Sequence, residues 1–239
     1  RFVSSSKDNT LKMWDAFSGK MITTMARHSA SVTKVVWSGS DLVVSSSQDR
    51  TIIIWDSNGN YLRKLQSHAH WVNCLSLNSY HTLRSGAFSY KEINNKPESF
   101  NDYKIRSKNN FEDFLKIAKK EYLVSGSDDN TLMLFDLGSS VEKAIKRMTG
   151  HTGPINQVQF SPNGVLFVSA SFDKTLRIWS VMNDGCMGVL RGHVADVYVL
   201  AFSRDSKWVV SGSKDSTIQV WSMKMKKRAF QLPGHADEV

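Results

Sequence analysis

Four times along the chain a histidine, a serine and an aspartate recur in the same order: His28/Ser45/Asp49, His68/Ser125/Asp129, His151/Ser169/Asp173 and His193/Ser211/Asp215. A nucleophile, a base and an orienting acid are the parts of acyl-transfer catalysis. A catalytic set, however, is not copied at intervals along a chain, so the recurrence points to a structural role. His70 and His81 fall off the period, and with Cys74 they raise the question of a metal site. Their spacing matches no zinc pattern, and Cys74 falls in a strand position filled elsewhere by Lys34, Gln157 and Val199. No GxGxxG and no phosphate-binding GxxxxGK loop occurs. Catalytic residues, metal ligands, cofactors and a small-molecule substrate are therefore not expected, and the chain reads as a non-enzyme.

The elements that hold these residues follow from composition and periodicity. The 239 residues are 41% hydrophobic and 22% charged, the balance of a globular domain. The longest apolar run, Val197 to Phe202, is six residues, too short to span a bilayer, and no leader pattern opens the chain. No membrane contact is expected. Two cysteines, Cys74 and Cys186, cannot staple a fold, which favours a reducing compartment. Thirty-one basic against 22 acidic residues leave +9, a charge that favours polyanionic partners.

The aromatics Trp14, Trp55, Phe135, Trp179 and Trp221 are spaced by 41, 80, 44 and 42 residues. The histidines His28, His68, His151, His193 and His235 are spaced by 40, 83, 42 and 42. Both markers share one period and break it in the same interval. An Asp-x-Thr (Asp8, Asp49, Asp129, Asp173, Asp215) stands four after a serine and six before the aromatic every time. Within each unit, short β-rich runs alternate with Asp, Asn, Gly and Ser turns. First strands run from Val32, Val72, Ile155 and Val197 to Trp37, Leu77, Phe160 and Phe202, and fourth strands end near Met25, Leu65, Met148, Leu190 and Leu232. Four strands per period of this length predict an all-β fold, a β-propeller.

Gly150/His151, Gly192/His193 and Gly234/His235, with Trp14/Asp15 and Trp55/Asp56, resemble the WD-repeat family. The resemblance departs at Arg27 and Ser67, where Gly is expected, and at Ser180 and Ser222, where Asp is expected. It implies that His28, Ser45, Asp49 and Trp55 form a hydrogen-bonded tetrad, as do His151, Ser169, Asp173 and Trp179, and His193, Ser211, Asp215 and Trp221. With Phe135 in place of Trp, the third network lacks its indole donor. Blade boundaries fall near residues 28, 68, 151, 193 and 235, so residues 1–239 hold about five four-stranded blades: an incomplete arc of a larger ring.

His68 lies 61 residues before Asp129, where His151 lies 22 before Asp173. The third blade therefore carries an insertion, read as about 84–122, between two copies of a second-strand pattern, LRSGAF (Leu83 to Phe88) and LVSGS (Leu123 to Ser127). A hidden extra blade is rejected, because Lys96-Pro97 and Asn109-Asn110 stand where its markers belong. Phe111, Phe114, Leu115 and Ala118 have helical spacing, and Asn110 suits an N-cap, so a short helix is predicted over about 111–121. Its apolar face packs either on its own blade or on a partner. The stretch from Arg84 to Lys120 is net +4 and is either a solvated basic loop or a contact for an RNA backbone.

SHAHWVNCLSL before LRSGAF, then LVSGSDDNTLMLFD, RMTGHTGPINQVQFSPNG and LRGHVADVYVLAFSRDSKWVVSGSKDSTIQVW, resemble the Notchless proteins. That resemblance implies an eight-bladed ring and a nuclear and nucleolar scaffold in assembly of the large ribosomal subunit. It implies docking on pre-ribosomal particles, with their ribosomal proteins and ribosomal RNA. It also implies a link to the midasin ATPase through an N-terminal ubiquitin-like domain that these residues do not include. The competing reading is a peptide or substrate receptor of a ubiquitin-ligase or chromatin complex.

Propellers commonly bind partners on the rim of the Asp turns. Candidates there are Gln48, Asp128, Phe172 and Lys214, which precede the Asp, and Asn73, Asn156 and Tyr198, which follow the first-strand apolar residue. Trp71 has no repeat-wide role and joins them; Trp71, Phe172 and Tyr198 are the expected anchors. Particle or RNA contacts are expected from Arg84, Lys104, Arg106 and Lys108 in the insertion. Lys224, Lys226, Lys227 and Arg228 form a second basic group at a turn on the opposite side; it is either an RNA site or merely solvated.

Overall fold

The structure, a computed structural model, describes residues 1–66, 68–87, 99–183, 185–232 and 234–239. The described strands form five antiparallel sheets. The first holds β1 (Phe2–Ser5), β2 (Leu11–Trp14) and β3 (Met21–Met25), and the second β4 (Val32–Trp37), β5 (Val43–Ser47), β6 (Thr51–Trp55) and β7 (Tyr61–Gln66). The third holds β8 (Val72–Leu77), β9 (Tyr122–Ser127), β10 (Leu132–Asp136) and β11 (Lys146–Met148). The fourth holds β12 (Ile155–Phe160), β13 (Leu166–Ser171), β14 (Thr175–Ser180) and β15 (Cys186–Arg191), and the fifth β16 (Val197–Phe202), β17 (Trp208–Ser213), β18 (Ile218–Ser222) and β19 (Lys227–Leu232). Each sheet is a simple meander. Strands β4, β8, β12 and β16 contact one another in sequence, so the sheets stand side by side as blades of a partial propeller.

The core lies in the seams between blades. One seam joins Val44, Ile52 and Ile54 to Val72, Leu75 and Phe135; the next joins Val124 and Leu134 to Ile155, Val158 and Phe160. Val168, Leu176 and Ile178 likewise meet Val197, Leu200 and Val209. Strands buried on both faces explain why β5 and β6 are apolar or small throughout rather than alternating. The four innermost strands share one irregularity: the register slips at Val32/Lys34, Val72/Cys74, Ile155/Gln157 and Val197/Val199. Such a bulge leaves one residue unpaired and re-aims its side chain.

The insertion differs from its expected form. The β8–β9 connection runs over residues 78–121, where the equivalent turns are 38–42, 161–165 and 203–207. LRSGAF is no strand: α1 (Tyr80–Ser85) takes its first residues and Gly86 ends that helix at φ +57°, while Phe88 lies outside the described residues. The second helix, α2, spans Phe100–Ala118, eleven residues earlier in onset than expected. Ser99, not Asn110, is its N-cap, accepting the Asp102 N–H at 3.2 Å. Asn110 instead donates to the Gly86 carbonyl at 2.8 Å. The polar first turns, with Asn101, Lys104 and Lys108 exposed, gave no apolar period to read. Helix α2 ends at Lys119, whose φ of +64° breaks it. Among the described residues no helix is long and apolar enough to cross a membrane.

Candidate interaction surfaces

In three blades the tetrad is complete. Trp179 Nε1 donates to Ser169 Oγ at 2.8 Å, His151 Nε2 meets Ser169 Oγ at 2.7 Å, and His151 Nδ1 meets Asp173 Oδ2 at 2.7 Å. The second and fifth blades repeat it through Trp55, Ser45, His28 and Asp49 and through Trp221, Ser211, His193 and Asp215. In the third, His68 bridges Ser125 and Asp129, and Phe135 supplies no donor. A carboxylate only accepts, so Nδ1 carries the imidazole proton in each set. Burial opposes ionisation of Asp49, but donors from His28, Thr51 and Ser29 outweigh it and hold its carboxyl at about 2. Asp129, Asp173 and Asp215 are depressed further by the same balance. Ser45, Ser125 and Ser169 are fully buried, so no substrate reaches them. The sets act as pins, not as nucleophiles.

These pins hold the Asp turns. Each aspartate also accepts from its own Thr backbone and hydroxyl, as Asp173 does from Thr175 at 3.0 and 2.6 Å. The preceding residue bonds back to the loop before the inner strand: Gln48 N–H to Ser31 O, Asp128 to Trp71 O, Phe172 to Pro154 O and Lys214 to Asp196 O. The rim candidates therefore stand on rigid backbone. Trp71 is 44% exposed and leans on His70, with centroids 5.3 Å apart. His70 Nδ1 lies 3.4 Å from Asp128 Oδ2. Phe172 meets Tyr198 edge to face at 5.8 Å across the seam between the fourth and fifth blades. Tyr198 donates to Glu238 at 3.0 Å, and Lys214 Nζ lies 3.7 Å from the same carboxylate.

Two rim candidates have a different job. Asn73 and Asn156 are half-buried at the bulges, where Asn73 donates to Asp128 at 2.6 Å and to Ile155 O at 3.0 Å. Asn156 donates to Tyr198 O at 2.6 Å, and Thr33 makes the corresponding bond to Val72 O. They tie each blade to the next, so their amides are engaged within the fold. Of the two residues that complete the rim, His70 drew notice in the sequence only as a possible metal ligand, and Glu238, which does not recur with the repeat, was not singled out.

At the opposite end the insertion is docked on the propeller itself. Phe111 lies on Gly39 of the β4–β5 turn, and Phe114 on Gly164 of the β12–β13 turn. Buried Glu121 accepts from the Gly39 and Ser40 N–H groups and from the Ser40 and Ser79 hydroxyls. The apolar stripe thus packs on the turns of the two neighbouring blades, one on either side of its own. Lys104 and Lys108 project to solvent, whereas Arg106 pairs with Asp102 at 3.3 Å. Of the second basic group, Lys224 and Lys226 occupy the β18–β19 turn, with Lys226 donating to Met187 O. Lys227 and Arg228 belong to β19 itself, and Arg228 bonds Gln231. Where the family glycine is missing, Arg27 stacks over Tyr61 at 4.6 Å; Ser67 lies outside the described residues. Cys74 is buried, which pushes its thiol up to about 12, and the described residues hold no cluster fit for a metal.

The family model for "WD domain, G-beta repeat" matches residues 19–56, 142–180 and 184–222. Over 186 residues the chain is 44% identical to "Ribosome assembly protein 4" of Saccharomyces cerevisiae, covering 75% of this chain and 35% of that protein. It is 41% identical over 178 residues to "Protein Notchless" of Drosophila melanogaster, covering 68% and 34%. The chain is a Notchless-type WD-repeat protein. The "Notchless protein homolog" of Arabidopsis thaliana is 41% identical over 191 residues, 80% of this chain and 40% of that protein. This Notchless-type chain spans about a third of the length of these curated relatives.

Proposed function

We propose that this chain is the particle-docking part of a ribosome assembly factor, working by contact and not by catalysis. The observation that carries the reading is its 44% identity to a protein named for ribosome assembly. Buried serines and a rigid rim bearing Trp71, Phe172 and Tyr198 support binding over chemistry. The docking target is a pre-ribosomal particle of the large subunit, met in the nucleus and nucleolus. A midasin-type ATPase joins through a ubiquitin-like domain outside these residues, an assignment that rests on the Notchless resemblance alone. The test is to tag the full-length protein in its own cells, purify it at moderate salt and sequence the RNA retained. Enrichment of large-subunit ribosomal RNA precursors is expected. Recovery of a ubiquitin ligase or chromatin subunit without ribosomal RNA would overturn the reading.

A further inference from the structure

Helix α1 buries none of its residues and leaves beneath it a cleft of about 420 Å³. Tyr80, His81 and Arg84 form one wall; Gln159, Phe202 and Arg204, from the inner strands and turns of the fourth and fifth blades, line the other. That volume lies within the ~300–1,000 Å³ of small-ligand sites. Among the described residues no carboxylate lines the cleft, and Arg84 and Arg204 are exposed with no ion pair or hydrogen bond to a described residue. Burial, reinforced by the fields of Arg204 and Arg84, holds His81 below its ordinary value. The side-chain oxygen of Gln159 is buried without a donor. Tyr80 presents an exposed ring.

We propose that this cleft binds one nucleotide of a single-stranded RNA segment. The two guanidiniums take the phosphate, with the planar donor forks suited to it. Tyr80 offers a stacking surface for the base. The exposed Tyr80 ring in the cleft wall, which a flat base can stack on and a peptide backbone cannot, favours RNA over a phosphorylated peptide. The site lies at the end of the molecule opposite the aromatic rim, and its biological sense rests on the ribosome-assembly reading. Sequence pointed to Arg84 alone; Arg204 comes from another blade, 120 residues away, so only the fold brings the pair together.

The experiment uses the full-length protein and a fluorescein-labelled single-stranded RNA decamer of mixed sequence, followed by anisotropy. Arg84→Ala with Arg204→Ala is expected to weaken binding by about tenfold or more near physiological salt, and to reduce the salt slope by about 1.4 for two lost contacts. Tyr80→Ala is expected to weaken RNA binding while leaving heparin binding unchanged. Lys20→Ala with Lys64→Ala, an exposed basic pair outside the cleft and outside every candidate contact, controls for the general field. Equal losses from both pairs, or a phosphoserine peptide binding as tightly as the RNA, would sink the proposal. Thermal melting of each variant excludes unfolding as the cause. If the wild-type protein retains ribosomal RNA precursors in cells while the cleft variants bind the decamer normally, the cleft fails and the assembly reading stands. If the cleft variants lose the decamer while no ribosomal RNA is retained in cells, the reverse holds.

Discussion

His151 is held at both ring nitrogens, and that fixes what each neighbour must do. With Asp173 removed, one imidazole N–H, two backbone N–H groups and a threonine hydroxyl lose their acceptor. Leaving buried donors unpaired costs about 1–3 kcal/mol each in the worst case. Asp173→Ala is therefore expected to lower unfolding stability by about 3 kcal/mol in urea titration, and Trp179→Phe by only about 1 kcal/mol, since it deletes one donor. The third blade already lives with that deletion at Phe135. The same bonds set a pH dependence. Asp49 is depressed from 3.8 to about 2 in the folded state, so its stabilisation is complete above the unfolded value and is lost as pH falls through about 2. His193, lowered chiefly by burial, adds a loss with the same sign that begins below its ordinary 6.5. Asp49→Asn should shrink the stability difference between about pH 5 and pH 2.5. An unchanged difference would show that the depressed carboxyl is not what acid attacks.

The blades were legible in sequence because one hydrogen-bonding problem is solved repeatedly with the same residues. The ends of the four inner strands, Val32 to Trp37 through Val197 to Phe202, were read to the residue. The insertion was not, because nothing in it repeats. Its helix was found by the apolar stripe at Phe111 and Phe114, while its polar first turns and the Ser99 cap were missed. Glu121 follows Lys119 and Lys120 in a charged run without repeat or motif, and only the fold shows it buried among donors from another blade. Gly39 is the clearest case. The equivalent turns carry Pro162 and Arg204 at that position, so the turn itself does not require glycine. The Phe111 ring does, since it occupies the space of a β-carbon. Gly39→Ala is expected to destabilise by about 1–3 kcal/mol in the wild-type background and by almost nothing beside Phe111→Ala. A double-mutant cycle by chemical denaturation measures that coupling; additive effects would mean the ring moves aside freely.

Within residues 1–239, the fourth and fifth blades differ in how far their seam faces are covered. Val168, Leu176, Ile178 and Leu190 of the fourth blade are buried by the fifth. Their counterparts Val210, Ile218, Val220 and Leu232 are not fully covered, and Val239 alone begins the next inner strand by donating to Ser213 O. Such a face invites pairing. Residues 1–239 alone are expected to self-associate with rising concentration in sedimentation velocity runs, and Leu232→Lys to lessen it. The opposed rim and cleft give the arc two ends with different chemistry, one aromatic and one cationic. One further consequence belongs to time rather than shape. His68 must find Asp129 across 61 residues, whereas His151 finds Asp173 across 22. Closing the longer loop costs about 0.9 kcal/mol more in chain entropy. The third blade, which also lacks the tryptophan donor, is therefore the last to zip shut as the chain emerges. Its amides should be the slowest to gain protection in pulse-labelled refolding, and the docking of α2 across its neighbours marks the end of the reaction.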